Sequence, residues 1–214
     1  MPRFFITGSS DPTGLGMKTA QKLLAQGHSV ILHARSDSRA ASAKAACPGA
    51  AAVLVGDLTS LPSTIALARE ADKHGPYEAI VHNAAIYKRG SIEEEMFNVN
   101  VRAPYVMTAL MGRPKRLVYV SSGLHRGGKI PAEGEEWAYG DSKLAMVMLA
   151  KALSRQWGLD CYSVDPGWVP TKMGGPSATG SLEEGVKTFV MAALGEGESK
   201  GCTDWRVGGG IFMS

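Results

Sequence analysis

Tyr139 and Lys143 stand four residues apart in the run Trp137-Ala138-Tyr139-Gly140-Asp141-Ser142-Lys143, within a stretch of helical character. Four residues advance an α-helix by about 400° and about 6 Å, so the phenol and the ammonium share one face, a turn apart. A phenol ordinarily titrates near 10, and a neighbouring cation stabilises its phenolate, which moves it toward acid or base work near neutrality. Upstream, Ser121-Ser122-Gly123 closes a short apolar run.

A second group of residues suits phosphate. Thr7-Gly8-Ser9-Ser10-Asp11-Pro12-Thr13-Gly14-Leu15-Gly16 follows the first apolar run and opens an amphipathic stretch. Glycines let a backbone approach a phosphate closely, and a helix N-terminus offers free N–H donors and partial positive charge. Arg35 follows the second apolar run, where an acidic residue would accept from the ribose 2′-hydroxyl of NAD; a guanidinium there suits the 2′-phosphate of NADP instead. Gly56-Asp57-Leu58, Asn83-Ala84-Ala85 and Asp165-Pro166-Gly167-Trp168-Val169-Pro170-Thr171 follow three more runs. Each of these signals is weak alone; their convergence after successive runs is not.

The elements that must position these residues are short strand-like runs at residues 3–7, 29–33, 52–55, 78–82, 116–121 and 160–164, separated by helical stretches. Leu15 to Gln26 and Leu61 to His74 are each followed by a glycine, where a helix stops. The alternation predicts βαβ units and a parallel sheet covered on both faces. Ligands of such sheets bind outside the carboxyl ends of the strands. The 214 residues, 44% hydrophobic and 20% charged, suit one domain over residues 1–214 and exclude a disordered or fibrous chain. With 23 basic against 20 acidic residues, scattered, no basic block grips nucleic acid. Three distant cysteines and five scattered histidines suggest neither disulfides nor a metal site, and no apolar run reaches the length of a membrane span. The opening MPRFFITGSS lacks the pattern of a secretory signal, so a reducing cytoplasmic location is expected.

Taken in order, T-G with a glycine loop, N-A-A, S-S, Y-x-x-x-K and P-G-W-V-x-T resemble the short-chain dehydrogenase/reductase superfamily over nearly the whole chain. The resemblance implies a Rossmann-like, doubly wound parallel sheet in three αβα layers. It also implies an NADP(H)-dependent, carbonyl reductase-like oxidoreductase that moves a hydride between nicotinamide and a carbonyl or alcohol, NAD(H) being the lesser cofactor. Tyr139 would then be the general acid or base, Lys143 would lower its pKa and hold the nicotinamide ribose, and Ser122, with Ser121 as fallback, would bond the substrate oxygen. Asn100, rather than Asn98, fits the asparagine that helps hold a relay water. Gly8, Ser10, Gly14, Leu15 and Gly16 would surround the pyrophosphate and Arg35 the 2′-phosphate. Asp57 and Leu58 would meet the adenine, Asn83 and Ala84 the adenine ribose region, and Pro166, Val169 and Thr171 the nicotinamide.

The chain departs from the family pattern in three places. Five residues separate Gly8 from Gly14, as if Pro12 and Thr13 were inserted; the segment from Asn83 to Asn100 is short; and Cys202 to Val207 resembles no usual family ending. These departures sustain a competing reading, a non-catalytic dinucleotide-binding regulatory or signalling protein of the same fold. His125 resembles a histidine of retinol-dehydrogenase-like branches but reads best as a loop residue. A homodimer or homotetramer built on the helices of Asn100 and Tyr139 is expected, with a small or hydrophobic carbonyl or alcohol as substrate.

Overall fold

Side chains of successive strand residues point to opposite faces of a sheet, and here that alternation divides the core in two. The computed structural model describes residues 1–87, 93–196, 203–206 and 210–212. Its elements run β1 (Arg3–Ile6), α1 (Leu15–Ala25), β2 (Ser29–Ala34), α2 (Asp37–Ala46), β3 (Ala52–Val55), α3 (Leu61–Asp72), β4 (Ala79–His82), α4 (Glu93–Phe97) and α5 (Ala103–Leu110), then β5 (Arg116–Val120), α6 (Tyr139–Trp157), β6 (Asp160–Asp165), α7 (Leu182–Leu194), β7 (Thr203–Arg206) and β8 (Gly210–Phe212). A π-turn, Asn98–Arg102, joins α4 to α5.

The strands form one sheet in the order β3-β2-β1-β4-β5-β6-β7-β8, parallel from β3 through β7, with β8 antiparallel at the edge. The chain leaves β1 toward β2 and later crosses to β4 on its other side, so a crevice opens between the carboxyl ends of β1 and β4. Phe4, Ile6, Leu32, Val81 and Val118 face one side of the sheet, where Met17, Leu23 and Phe189 from α1 and α7 cover them. Phe5, Ile31, Ile80, Leu117 and Tyr119 face the other, under Leu67, Met107 and Met146 from α3, α5 and α6. The fold is a Rossmann-like α/β arrangement: the parallel sheet is the one that the alternation implied, and its doubly wound form is the one that the resemblance implied.

The six expected strands form within a residue of their expected ends. Thr7 and Ser121 fall just outside β1 and β5, yet their N–H groups still donate across the sheet to Val81 and Val164. Helix α3 ends at Asp72 rather than His74 because His74 and Gly75 close tighter turns onto Ala71 and Asp72. The unfamiliar stretch near the C-terminus contributes β7, paired to Tyr162–Asp165 of β6. Its residues Thr203-Asp204-Trp205-Arg206 carry no apolar run, so only the edge they pair with reveals them; Cys202 lies outside the described residues. Phe189 is fully buried where α7 meets the sheet. Phe189→Ala is therefore expected to cost ~3–5 kcal/mol in urea unfolding; a loss below ~1 kcal/mol would show that α7 is not part of this core.

Candidate active site

The glycine turn after β1 is shaped by close packing. Gly8 has φ +64°, and a Cβ there would lie 2.7 Å from Ala84 Cα; a Cβ on Gly16 would lie 2.6 Å from Asn83 Nδ2. Asn83 uses that Nδ2 to donate to the carbonyls of Thr7 (2.8 Å) and Gly8 (3.1 Å), and Ala84 N–H donates to Thr7 Oγ1. The exits of β1 and β4 are thus sewn together, and Asn83 and Ala84 line the crevice. The extra residues fold onto themselves: Asp11 Oδ1 accepts from both Thr13 N–H and Thr13 Oγ1, and Gly14 N–H returns to Asp11 O. These bonds, chiefly that from the Thr13 backbone, hold the Asp11 carboxyl below its ordinary range. Gly14 is the N-cap of α1 and no side chain caps it, nor does an acid occupy the first turn. Leu15 and Gly16 thus begin a helix whose first N–H donors are available to an anion, as a pyrophosphate requires. Ser10 stands half-buried between.

On the adenine side, Arg35 is exposed directly after β2. Arg39, in the first turn of α2, acts electrostatically on Asp11 and so joins the same corner; sequence reasoning missed it. Asp57 is exposed, its Oδ1 accepting from Thr59 N–H and Thr59 Oγ1, while Ser60 caps α3. Leu58 is buried in the core against α3, which leaves only its backbone to meet a ligand.

Tyr139 is the first residue of α6 and Lys143 lies one turn on, almost wholly buried at 2% exposure. Lys143 Nζ donates to Val120 O at 2.9 Å and sits over the Tyr139 ring, 5.4 Å from its centroid. Burial pulls this ammonium down to about 8. Burial first, then Asp165 and Tyr87, hold Tyr139 above its ordinary value, the opposite net direction to the one a neighbouring cation alone would give. Ser122 is half-buried at the head of a tight turn, its Oγ accepting weakly from Leu124 N–H at 3.3 Å. Ser121 is buried and its hydroxyl donates to Lys143 O, so Ser122 is the serine left to face a ligand. His125 rests its ring against the Ser122 carbonyl.

Two glycines and an aspartate set this serine turn on the start of α6. A Cβ on Gly140 would lie 2.9 Å from Leu124 O, and one on Gly128 2.6 Å from Gly140 O. Asp141 accepts from Ala138 N–H (2.8 Å) and Lys129 N–H (2.7 Å), fixing the incoming loop. An acid at the third helical position is a readable start signal, but what it would hold was not. Asn98 and Asn100 both lie in the π-turn, which Ala103 N–H closes by donating to Asn98 O. Such turns recur at functional sites. Asn100 Oδ1 accepts from Ile86 N–H, and its Nδ2 donates to Ile86 O and Ser142 Oγ; Ser142 donates in turn to Tyr139 O. Asn98 turns away, donating to Thr59 O. Asn100 is thus the one that reaches Tyr139, and Tyr87, just beyond Ile86, packs edge-on against the Tyr139 ring at 4.7 Å.

After β6, Pro166 and Val169 are buried, and a Cβ on Gly185 of α7 would crowd Leu15, Pro166 O and Val169 together. The start of α1 and the P-G-W-V turn therefore both pack on Gly185. Thr171 Oγ1 accepts from Gly174 N–H, and Trp168 stands exposed with its indole N–H on Gly174 O. The part of the short Asn83–Asn100 segment at residues 88–92 lies outside the described residues. Among the described residues, no helix is long and apolar enough to cross a membrane and no group of three or more His, Cys, Asp or Glu could hold a metal.

A parallel sheet with glycine turn, serine turn and Y-x-x-x-K helix at its carboxyl edge defines an α/β oxidoreductase of the dinucleotide-using kind. The family model for short chain dehydrogenases matches residues 3–181, and the chain belongs to that family. It is 47% identical over 211 residues to an uncharacterized oxidoreductase of Emericella nidulans and 42% identical over 214 residues to the short-chain dehydrogenase chyC of Penicillium rubens, in both cases covering 92% of this chain and 82% of the relative. Among solved structures, a blue fluorescent protein from a metagenomic library in complex with NADPH superposes with a TM-score of 0.77 at 22% identity, covering 96% of each chain.

The buried ammonium has a measurable consequence. An unfolded Lys143 keeps its proton to about 10.4, the folded one only to about 8. Between those values the unfolded chain holds more protons, so this group makes stability rise with pH. Relative to Lys143→Met, the wild-type protein is expected to gain up to ~2 kcal/mol in unfolding free energy from pH 7.5 to 9.5; parallel curves would show that the ammonium is not desolvated.

Proposed function

We propose that the protein is an NADP(H)-dependent reductase of small or hydrophobic carbonyls. The observation that carries the reading is that half-buried Tyr139, with the buried Lys143 ammonium over its ring, and half-buried Ser122, just past the end of β5, lie at the same sheet edge as an uncapped, glycine-lined helix start. Gly8, Ser10, Gly14, Leu15 and Gly16 would hold the pyrophosphate, Arg35 with Arg39 the 2′-phosphate, and Asp57, the Leu58 backbone, Asn83 and Ala84 the adenosine. Pro166, Val169 and Thr171 would meet the nicotinamide. The bound dihydronicotinamide supplies a hydride to the carbonyl carbon. Ser122 donates a hydrogen bond to the carbonyl oxygen, and Tyr139 delivers its phenolic proton to the same oxygen. Tyr139, held above its ordinary value by burial, carries its proton at neutral pH and so enters the proposed reduction as the proton donor. Lys143 stabilises the phenolate as it forms and reaches the nicotinamide ribose. Asn100, whose side-chain amide is spent on Ile86 and Ser142, acts by positioning these groups. Tyr87 and Trp168, both exposed beside the site, support an apolar substrate. Tyr105 and Leu110 on α5 and Met148 on α6 are exposed as well, which supports a homodimer or homotetramer built on those helices.

Tyr139→Phe is expected to lower kcat by about 10²–10⁴-fold with NADPH affinity nearly intact, measured by NADPH consumption on a panel of aldehydes and ketones; retained turnover would sink the assignment. Arg35→Asp is expected to weaken NADPH binding by on the order of 10–100-fold while sparing NADH. Titrating nicotinamide fluorescence measures it, and an unchanged NADPH to NADH ratio would refute NADP preference.

A further inference from the structure

His33, in β2 and only 2% exposed, is absorbed by none of the roles above, yet it touches both halves of the crevice. Gly8 N–H donates to its Nδ1 at 2.9 Å, and its Nε2 lies 2.8 Å from Gly56 O. The partners fix the ring's state. A backbone N–H can only donate, so Nδ1 must accept; a backbone carbonyl can only accept, so Nε2 must carry the hydrogen. A second proton, on Nδ1, would set two N–H groups against each other. The backbone adds two bonds, His33 N–H to Ser9 Oγ at 3.0 Å and Ser9 N–H to His33 O at 3.1 Å.

What these bonds hold matters for the ligand. Gly8 occupies a left-handed conformation tight against Ala84, and the direction of its N–H is set by the imidazole beneath it. Gly56 directly precedes Asp57 and Leu58. We propose that His33 is a positioning residue of the dinucleotide site, a neutral Nε2–H imidazole that locks the Gly8 turn under the pyrophosphate to the Gly56 exit beside the adenine; this rests on reading that edge as a dinucleotide site. Burial favours the neutral ring, against weaker opposing effects of the Gly56 bond and Asp57.

Two conservative variants separate its two bonds. His33→Asn keeps an acceptor near the Nδ1 position and loses the reach to Gly56, whereas His33→Gln reaches toward Gly56 and leaves Gly8 N–H unpaired. In the full-length protein the expected result is a rise in the NADPH dissociation constant of about tenfold or more for Gln and clearly less for Asn, with kcat at saturating NADPH nearly unchanged in both. A purely structural role would lower both thermal midpoints without that ordering. Unchanged NADPH affinity in both variants, or equal losses in affinity and kcat, overturns the assignment. Wild-type protein that binds neither NADPH nor NADH overturns the dinucleotide reading and the inference with it. Nitrogen-15 spectra of the wild type near neutral pH stand apart from any folding defect of the variants: an unprotonated Nδ1 with a protonated Nε2 is expected for His33, and a hydrogen on Nδ1 overturns the proposal.

Discussion

An ammonium taken out of water costs heavily unless it is hydrogen-bonded, and the burial of Lys143 constrains everything around it. Its Nζ is satisfied by Val120 O at the end of β5, and Ser121 from the same strand end donates back to Lys143 O. These two bonds fix the rotation and height of α6 on the sheet. Ser142 then meets Asn100, Asn100 grips both backbone groups of Ile86, and Tyr87 is set against Tyr139. The reactive face of α6 is therefore positioned from β5 on one side and from the β4 exit on the other, through buried polar groups that are nearly all paired.

The glycines of the site serve proximity more than flexibility. Gly128 and Gly140 let the serine turn rest on the helix that carries Tyr139, and Gly185 lets α7 bring Leu15 and Val169 together. Gly8 and Gly16 do the same between the β1 and β4 exits. In each case a methyl group would meet backbone or a packed side chain, so substitution would move a functional group and not merely tighten the chain. The two additional residues of the glycine turn escape this constraint because they close as an Asp11–Thr13 turn at the surface.

The parallel sheet was legible because strands and helices alternate with opposite periodicities, and the site because its residues sit where each strand ends. The preference for Asn100 over Asn98 and for Ser122 over Ser121 was readable only by resemblance, since nothing in the sequence shows that Asn98 bonds Thr59 and Ser121 bonds Lys143. The roles of Asp141, Ser142 and His33 were not legible, since each depends on partners 12 to 42 residues away in sequence. The net direction of the Tyr139 shift was not legible for a related reason. Spacing places a lysine near a phenol, but it does not show how deeply the start of α6 is buried or that Asp165 and Tyr87 lie beside it.

The displaced pKa values give the pair an order. Free in water, a phenol and a lysine ammonium titrate close together, the phenol slightly first. Here burial lowers Lys143 to about 8 and, with Asp165 and Tyr87, raises Tyr139, so the ammonium releases its proton before the phenol does. The proton that leaves the pair first as pH rises is therefore the lysine's, and the phenol stays a donor across the whole neutral range. In the proposed reduction the same arrangement would keep the phenol loaded and set a cation beside its conjugate base.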